Sequence, residues 1–562
     1  MLLILVNWIY IFISSLSFGF LLKKLFKIEN QNFTIHHILG LFSITLFSWV
    51  YAFFFALDLV FYGFMASVTM AVIWLLKKDV KVHLIQFKKC WLLFSNTYKL
   101  CIIFISVAAL AMSSVTPAIF DNESYYIQTI KWLNEYGFVK GLGNLHIFFA
   151  QTSSWHILQA AFSFPFLETS FNDLNGYFLV LFSFLCFQQL HHFKTSKKIN
   201  QLYIGSVLIS LPFLIFFINA PSPDLSVFLI SQLLFFLFIK HYKAIDFSSF
   251  SIVLLLTIFL CVIKITTCVL VLLPLILVVK HFKTLKPNLV KPILFSVFVL
   301  FLFLIKNVIL TGYLLYPLEN FDVLNVDWKV PKELIHLFKV GTYSAAFDYQ
   351  ELENLSTYQL FIAWVTSFKF NGIINIIFTT LLLSFPFLWF LKSKEKSVFI
   401  LYIIGVLHFV LAWIFSPQYR FFFFYMLFFS MQICVWFFKK EKIIVLFTYI
   451  SLLLSLVPFL TELKLSNYTT IKKTNTKTSI LKLKNIVQPN VNSSMSLEYN
   501  QHIEGAFAYN SPTKDSFFWT VGIVPLPAVN AKQVAFIKKY YKIVPALRTA
   551  DVEDGFKSMH VK

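Results

Sequence analysis

The sequence predicts an all-α polytopic membrane protein with about fourteen transmembrane helices. Three observations lead there: an apolar composition, apolar stretches that recur at the length of a membrane span, and lysines gathered into alternate loops. Of 562 residues, 58% are hydrophobic and 13% are charged, and the mean hydropathy is +0.76. A chain so poor in charge cannot clothe a water-soluble fold over most of its length.

The apolar stretches fall near 2–22, 35–55, 57–76, 100–118, 174–192, 202–219, 224–240, 248–264, 266–280, 292–311, 373–391, 397–415, 420–438 and 443–462. Each suffices to cross a hydrocarbon core of roughly 30 Å as a helix. The stretches 248–264 and 266–280 run together. Helices are the expected form because backbone groups in lipid must be satisfied internally, and no alternating barrel pattern occurs. The first stretch lacks a basic leader and a small-residue cleavage site, and Lys23, Lys24 and Lys27 follow it. It therefore reads as a retained anchor with the N-terminus outside.

Lysines set the orientation. The loops at 23–34, 77–99, 191–200, 240–247, 280–292, 391–397 and 439–442 carry them in clusters, Lys77, Lys78, Lys88, Lys89, Lys439 and Lys440 among them, and are expected in the cytoplasm. The alternate loops at 118–173, 219–224, 311–372 and 416–420 are lysine-poor or balanced by acids such as Glu319, Asp322 and Asp327, and are expected outside. The organisation is then a membrane domain over 1–462 with large external loops at 118–173 and 311–372, and an external C-terminal tail over 463–562. The tail is lysine-rich, yet long tails translocate largely regardless of charge. It opens with a polar run, Thr469 to Lys484, and its later Pro525, Pro527 and Pro545 among short apolar runs predict a small α+β cap. The net charge of +21 is mostly a topology signal, spread over short loops, and does not describe a nucleic-acid surface. Cys90, Cys101, Cys186, Cys261, Cys268 and Cys434 sit in spans or on the lysine-rich side, without a disulfide framework or a CxxC pair.

The polar residues at span ends carry the functional argument, since ionisable groups at membrane depth mark sites by default. Asp121-Asn122-Glu123-Ser124-Tyr125-Tyr126 stands where the stretch 100–118 leaves the membrane. Ile127, Ile130, Trp132 and Leu133 recur at helical spacing after it and Gly137 ends the run, which predicts an amphipathic helix on the outer membrane surface. Asp121 or Ser124 could cap that helix and Glu123 could serve its dipole. Alternatively, either acid is a general base at a membrane-embedded cavity, with Tyr125, Tyr126, Trp132, His146 and Trp155 as a sugar-binding surface.

Glu123-Ser124-Tyr125-Tyr126, followed by the amphipathic helix and Gly137, resembles the D-E-x-Y-Y first-loop signature of GT-C membrane glycosyltransferases, notably family 39 and the protein mannosyltransferase-like branch. Asn122 stands where that signature has its Asp, and Asp121 is one place earlier, so the base assignment is shared between Asp121 and Glu123. Gly141-Leu142-Gly143-Asn144-Leu145-His146, Ser153-Ser154-Trp155, Lys306-Asn307, Thr311-Gly312, Tyr316-Pro317 and Asp327-Trp328-Lys329-Val330-Pro331 resemble an uncharacterised bacterial multipass family placed beside these enzymes. The resemblance implies a GT-C-like fold in the bacterial cytoplasmic membrane. It further implies transfer of a sugar from a polyprenyl-phosphate-linked donor to a hydroxyl of a glycan, lipid or protein acceptor on the external face.

That chemistry needs a carboxylate to take the acceptor proton and cations to hold the leaving phosphate. Of 47 basic residues only Arg420 and Arg548 are arginines. Arg420 lies in the short turn Ser416-Pro417-Gln418-Tyr419-Arg420, and a guanidinium matches phosphate in a bidentate manner. Lys264 lies between two spans, with Asp224 of Ala220-Pro221-Ser222-Pro223-Asp224 as a partner; a structural pair and a donor-binding lysine are equal readings. Lys306, with Asn307, is expected on the phosphate. No cofactor is called for, and a divalent cation between the carboxylates is the one addition the residues leave open. The lack of GxxxxGK[ST], HExxH and nucleophile-elbow motifs removes support for ATP-driven transport, zinc proteolysis and serine hydrolysis. An O-antigen polymerase or ligase and a polysaccharide or lipid flippase are the alternative readings.

Overall fold

The computed structural model describes residues 1–29, 32–166, 174–347, 352, 355–367, 369–464, 477–505, 507–513 and 517–561. The chain is 71% helical. All fourteen apolar stretches are helical, and among the described residues ten helices are long and apolar enough to cross a membrane, or twelve if two bent pairs each count once. The count falls below fourteen for identifiable reasons. Helix Phe247–Ile263 is short, because Lys264 turns the backbone extended and the next stretch, Ile265–Lys280, bends by 91° into Phe282–Asn288. Helix Leu174–Ser196 carries Asn175, Gln188, Gln189, His191 and His192 within its apolar run. The lysine-rich segment after Leu75, expected as a loop, is the helix Lys77–Leu93, bent by 87° from helix Leu59–Leu75. Its lysines recur at helical spacing, so a polar face can form without a loop.

Small residues bring the first two helices together. A Cβ on Gly40 would lie 1.8 Å from the Ser15 carbonyl oxygen, so helices Leu2–Leu25 and Phe33–Ala52 are in backbone contact there. A continuous apolar core, rich in phenylalanine, runs through the bundle.

The C-terminal residues fold as α+β: the hairpin Tyr499–Glu504 with Phe507–Pro512, helix Ala531–Tyr541, and the antiparallel pair Ile543–Leu547 with Phe556–His560. This region shares two cores with the loops it covers. Trp132, Leu142 and Phe149 pack with Phe507, Val534 and Phe556. Ile147, Tyr313 and Leu334 pack with Trp519, Ile537 and Ile543. The first half of the polar run that opens the tail, residues 469–476, lies outside the described residues.

The helix after Asp121 does not lie on a membrane surface with a free polar face. A single wide π turn, Asn122–Tyr126, runs into helix Ile127–Glu135, and both faces are buried. The C-terminal region covers the polar side: Gln128 donates to the carbonyls of Gly522 (2.8 Å) and Val524 (2.9 Å), and Lys131 to that of Val524 (3.0 Å). The sequence pattern reported which side was apolar; it held no information on a partner 392 residues downstream that would accept the polar one.

Candidate functional site

Four helix ends meet at one end of the bundle and deliver four charges. Helix Asn96–Ser113 leads into Asp121, helix Asp224–His241 begins with Asp224, helix Phe247–Ile263 is capped by Lys264, and Arg420 is the second residue of helix Tyr419–Phe437. Asp224 and Lys264 occupy the helix ends where their charges are favoured, whereas Arg420 sits at the positive end of its helix, where a cation is disfavoured. Arg420 Nη1 donates to Asp121 Oδ2, which supplies the compensating charge. Lys264 Nζ donates to Asp224 Oδ1. The Phe421 ring serves both cations, with its centroid 4.5 Å from Lys264 Nζ and 5.4 Å from Arg420 Cζ. The Asp224–Lys264 pair is the more enclosed; the Asp121 and Arg420 side chains keep 17% and 26% of their surface exposed.

Neighbours fix this arrangement. Arg420 Nε donates to Gln418 Oε1 (2.9 Å), and Gln418 Nε2 donates to the Thr342 carbonyl (2.9 Å), which also accepts from Ser416 Oγ (2.7 Å). Tyr126 OH lies 3.4 Å from Asp121 Oδ2. Asn175 donates to the carbonyls of Phe217, Ala220 and Ser222 and so shapes the turn that presents Asp224. Gln418, Thr342 and Asn175 were not singled out in the sequence. Asn175 and Gln418 had a usable signal, a carboxamide at the end of a span, where backbone carbonyls need donors.

The structure separates the two acids of the first loop. Asp121 makes no side-chain capping bond to a backbone N–H of its own helix, so the capping role does not hold, and it faces Arg420. Glu123 faces the C-terminal region: its carboxylate accepts from Ser493 Oγ (2.5 Å), Ser494 N (2.8 Å) and Ser494 Oγ (3.2 Å). Its backbone carbonyl takes the N–H groups of Val521 and Gly522, both at 2.8 Å. Burial pushes the Glu123 carboxyl above the ordinary carboxylate range, against the pull of these hydrogen bonds. The acids therefore do not form a pair that a cation would bridge.

The remaining predicted residues divide in the same way. Tyr125 and Tyr126 adjoin Asp121, and burial raises both phenols. The Tyr125 ring stacks on Phe148 with centroids 5.5 Å apart. His146 and Trp155 are fully buried and do not offer a sugar-binding surface. His146 Nε2 lies 3.2 Å from the Trp519 carbonyl, its Nδ1 accepts from Phe148 N, and burial lowers it to about 4. Trp155 donates to Asn175 Oδ1 (2.8 Å) and packs on Phe178. Trp132 belongs to the core shared with Phe556. Asn307 ties down the end of its own helix, donating to the Leu314 carbonyl at 2.9 Å. Lys306 stands apart from the two ion pairs and donates to the Thr152 carbonyl at 2.6 Å.

Comparison with known proteins gave one match. Neither the curated proteins nor the solved structures produced one. The family model described as a domain of unknown function, DUF8201, matches residues 1–427, which takes in both ion pairs, and the chain belongs to that family.

Proposed function

We propose that this multipass membrane protein is a glycosyltransferase of GT-C type. It would move a sugar from a polyprenyl-phosphate-linked donor to an acceptor hydroxyl on the external face of a bacterial cytoplasmic membrane. The observation that carries the reading is the exposed edge of the Asp121–Arg420 pair, a carboxylate and a guanidinium in contact at helix ends beside Tyr126. In the reaction, the Asp121 carboxylate takes the proton from the acceptor hydroxyl. The oxygen bonds to the anomeric carbon from the face opposite the phosphate. The bond between that carbon and the phosphate oxygen breaks, its electron pair goes to the phosphate, and Arg420 holds the charge that develops. A positioned base contributes roughly 10²–10⁴-fold in rate, and a bidentate guanidinium suits the leaving group better than an ammonium. The lysine-rich loops at the opposite end support an external site under the positive-inside rule.

The test is mass spectrometry of cellular glycans and polyprenyl-linked sugars in wild type, a deletion strain and a deletion strain carrying Asp121→Asn. A sugar missing from the surface, with lipid-linked sugar accumulating and no rescue by Asp121→Asn, is the expected result. Full rescue by Asp121→Asn would sink the assignment of the base and turn the reading toward transport.

A further inference from the structure

Behind the two ion pairs lies a second polar group whose donors outnumber its acceptors. Lys306 is 3% exposed, and its ammonium has one hydrogen bond, to the Thr152 carbonyl. No carboxylate among the described residues pairs with it; Asp121 and Asp224 are taken by Arg420 and Lys264. Two aromatic rings face the cation, Phe303 at 4.8 Å and Trp49 at 5.5 Å. The Trp49 indole N–H is buried and unpartnered. His156, 1% exposed, lies near Lys306, and apart from the nearby Pro221 carbonyl its ring nitrogens have no hydrogen-bond partner among the described residues. The His156 ring also contacts Tyr126, with centroids 4.8 Å apart, which connects this group to Asp121.

Buried polar groups are nearly always paired, and a buried ammonium without a counter-charge is costly. An indole N–H can only donate, and an ammonium has three protons to give, of which one is used here. A neutral imidazole adds one donor and one acceptor nitrogen, so the set still has more donors than acceptors. Such a set is unsuited to a metal cation and suited to an anion. The Phe303 and Trp49 faces attract an ammonium, and an anion bound beside Lys306 would supply the counter-charge it lacks.

We propose that Lys306, Trp49 and His156 form an anion-binding subsite, separate from Arg420, that takes a phosphate-class group. The group could belong to a lipid headgroup or to a soluble phosphate, and the experiment separates these sources. Binding of inorganic pyrophosphate to the full-length protein in detergent is measured by calorimetry. Binding of phosphatidic acid is measured in nanodiscs by the shift of the unfolding midpoint against phosphatidylcholine alone. Removing one partner of a buried charge contact weakens binding by roughly 30-fold or more. That loss is expected in Lys306→Gln, with a smaller one in His156→Gln and Trp49→Phe, while Lys538→Gln, at an exposed lysine paired with Glu504 and away from both sites, keeps the affinity. Pyrophosphate binding without a lipid effect assigns a soluble source, and the reverse assigns a headgroup. Binding that survives in Lys306→Gln, loss confined to Arg420→Gln, or no binding of either probe overturns the proposal. If Lys306→Gln does not fold, the His156→Gln and Trp49→Phe variants decide by the same criterion. The transferase reading is judged separately, by the glycans of cells carrying Asp121→Asn.

Discussion

Glu123 is the residue whose removal has the most calculable consequence. Its carboxylate accepts three hydrogen bonds from Ser493 and Ser494, and a hydrogen bond to a charged group contributes about 1.5–3 kcal/mol. The bonds share one carboxylate and two neighbouring residues, so they do not add in full. Glu123→Ala also leaves the Ser494 N–H without its partner. Together these give a loss of about 3–5 kcal/mol in the docking of the C-terminal region, or roughly 10²–10⁴ in the population of the undocked form. Glu123→Gln keeps one acceptor and removes a buried charge, and it costs about 1 kcal/mol or less. The pH dependence has a defined sign. Burial raises the carboxyl above its ordinary value of 4.5, so the docked form holds the proton more tightly than the undocked form. Docking is therefore strongest below about 4.5 and weakens as pH rises through the raised value, and Glu123→Gln removes that dependence. Hydrogen exchange at Val521 and Gly522 measures the opening, since their N–H groups are held by the Glu123 backbone carbonyl, which every variant retains. Unchanged exchange at these two amides in Glu123→Ala would refute the view that the carboxylate clamps the C-terminal region.

Three further outcomes are expected. Arg420→Lys should recover little of the glycan phenotype of Arg420→Ala, because the two-point geometry toward a phosphate is lost; glycan profiles equal to wild type would contradict the leaving-group role. Lys264→Met strands the enclosed Asp224 carboxylate and should cost about 3–5 kcal/mol, while the double variant with Asp224→Leu should regain much of that loss, as read by thermal unfolding. Gly40→Ala drives a Cβ to within 1.8 Å of the Ser15 carbonyl oxygen, so the first two helices must separate; a lowered unfolding temperature checks this, and Gly63→Ala, where nothing lies within 4 Å, is the matched control.

Much of the architecture was legible in the sequence because a hydrocarbon environment imposes a length and composition on every span. The Asp224–Lys264 pair was legible for a related reason: two opposite charges at membrane depth need each other. The Asp121–Arg420 contact was only half visible. Both residues stood out, yet nothing in a single chain tells which helix ends become neighbours across 299 residues. The distinction between Asp121 and Glu123 was out of reach altogether, because Glu123 is defined by Ser493 and Ser494, two ordinary serines in a tail without a strong pattern. His146 and Trp155 misled for a physical reason. Aromatic and imidazole side chains satisfy a core as well as a ligand surface, and only their partners, Trp519 and Asn175, tell the two apart.

The bonds between the first loop and the C-terminal region have a consequence for how the protein is made. The turn bearing Asp121 emerges early in synthesis, while Ser493, Trp519 and Val521, which fix that turn in place, are added 370 or more residues later. A partly synthesised chain can have all its apolar helices in the bilayer and still hold Asp121 loosely. Competence at this end of the bundle is thus deferred to the completion of residues 493–522, so an inserted fragment shortened before them would be an integral membrane protein with an unformed site.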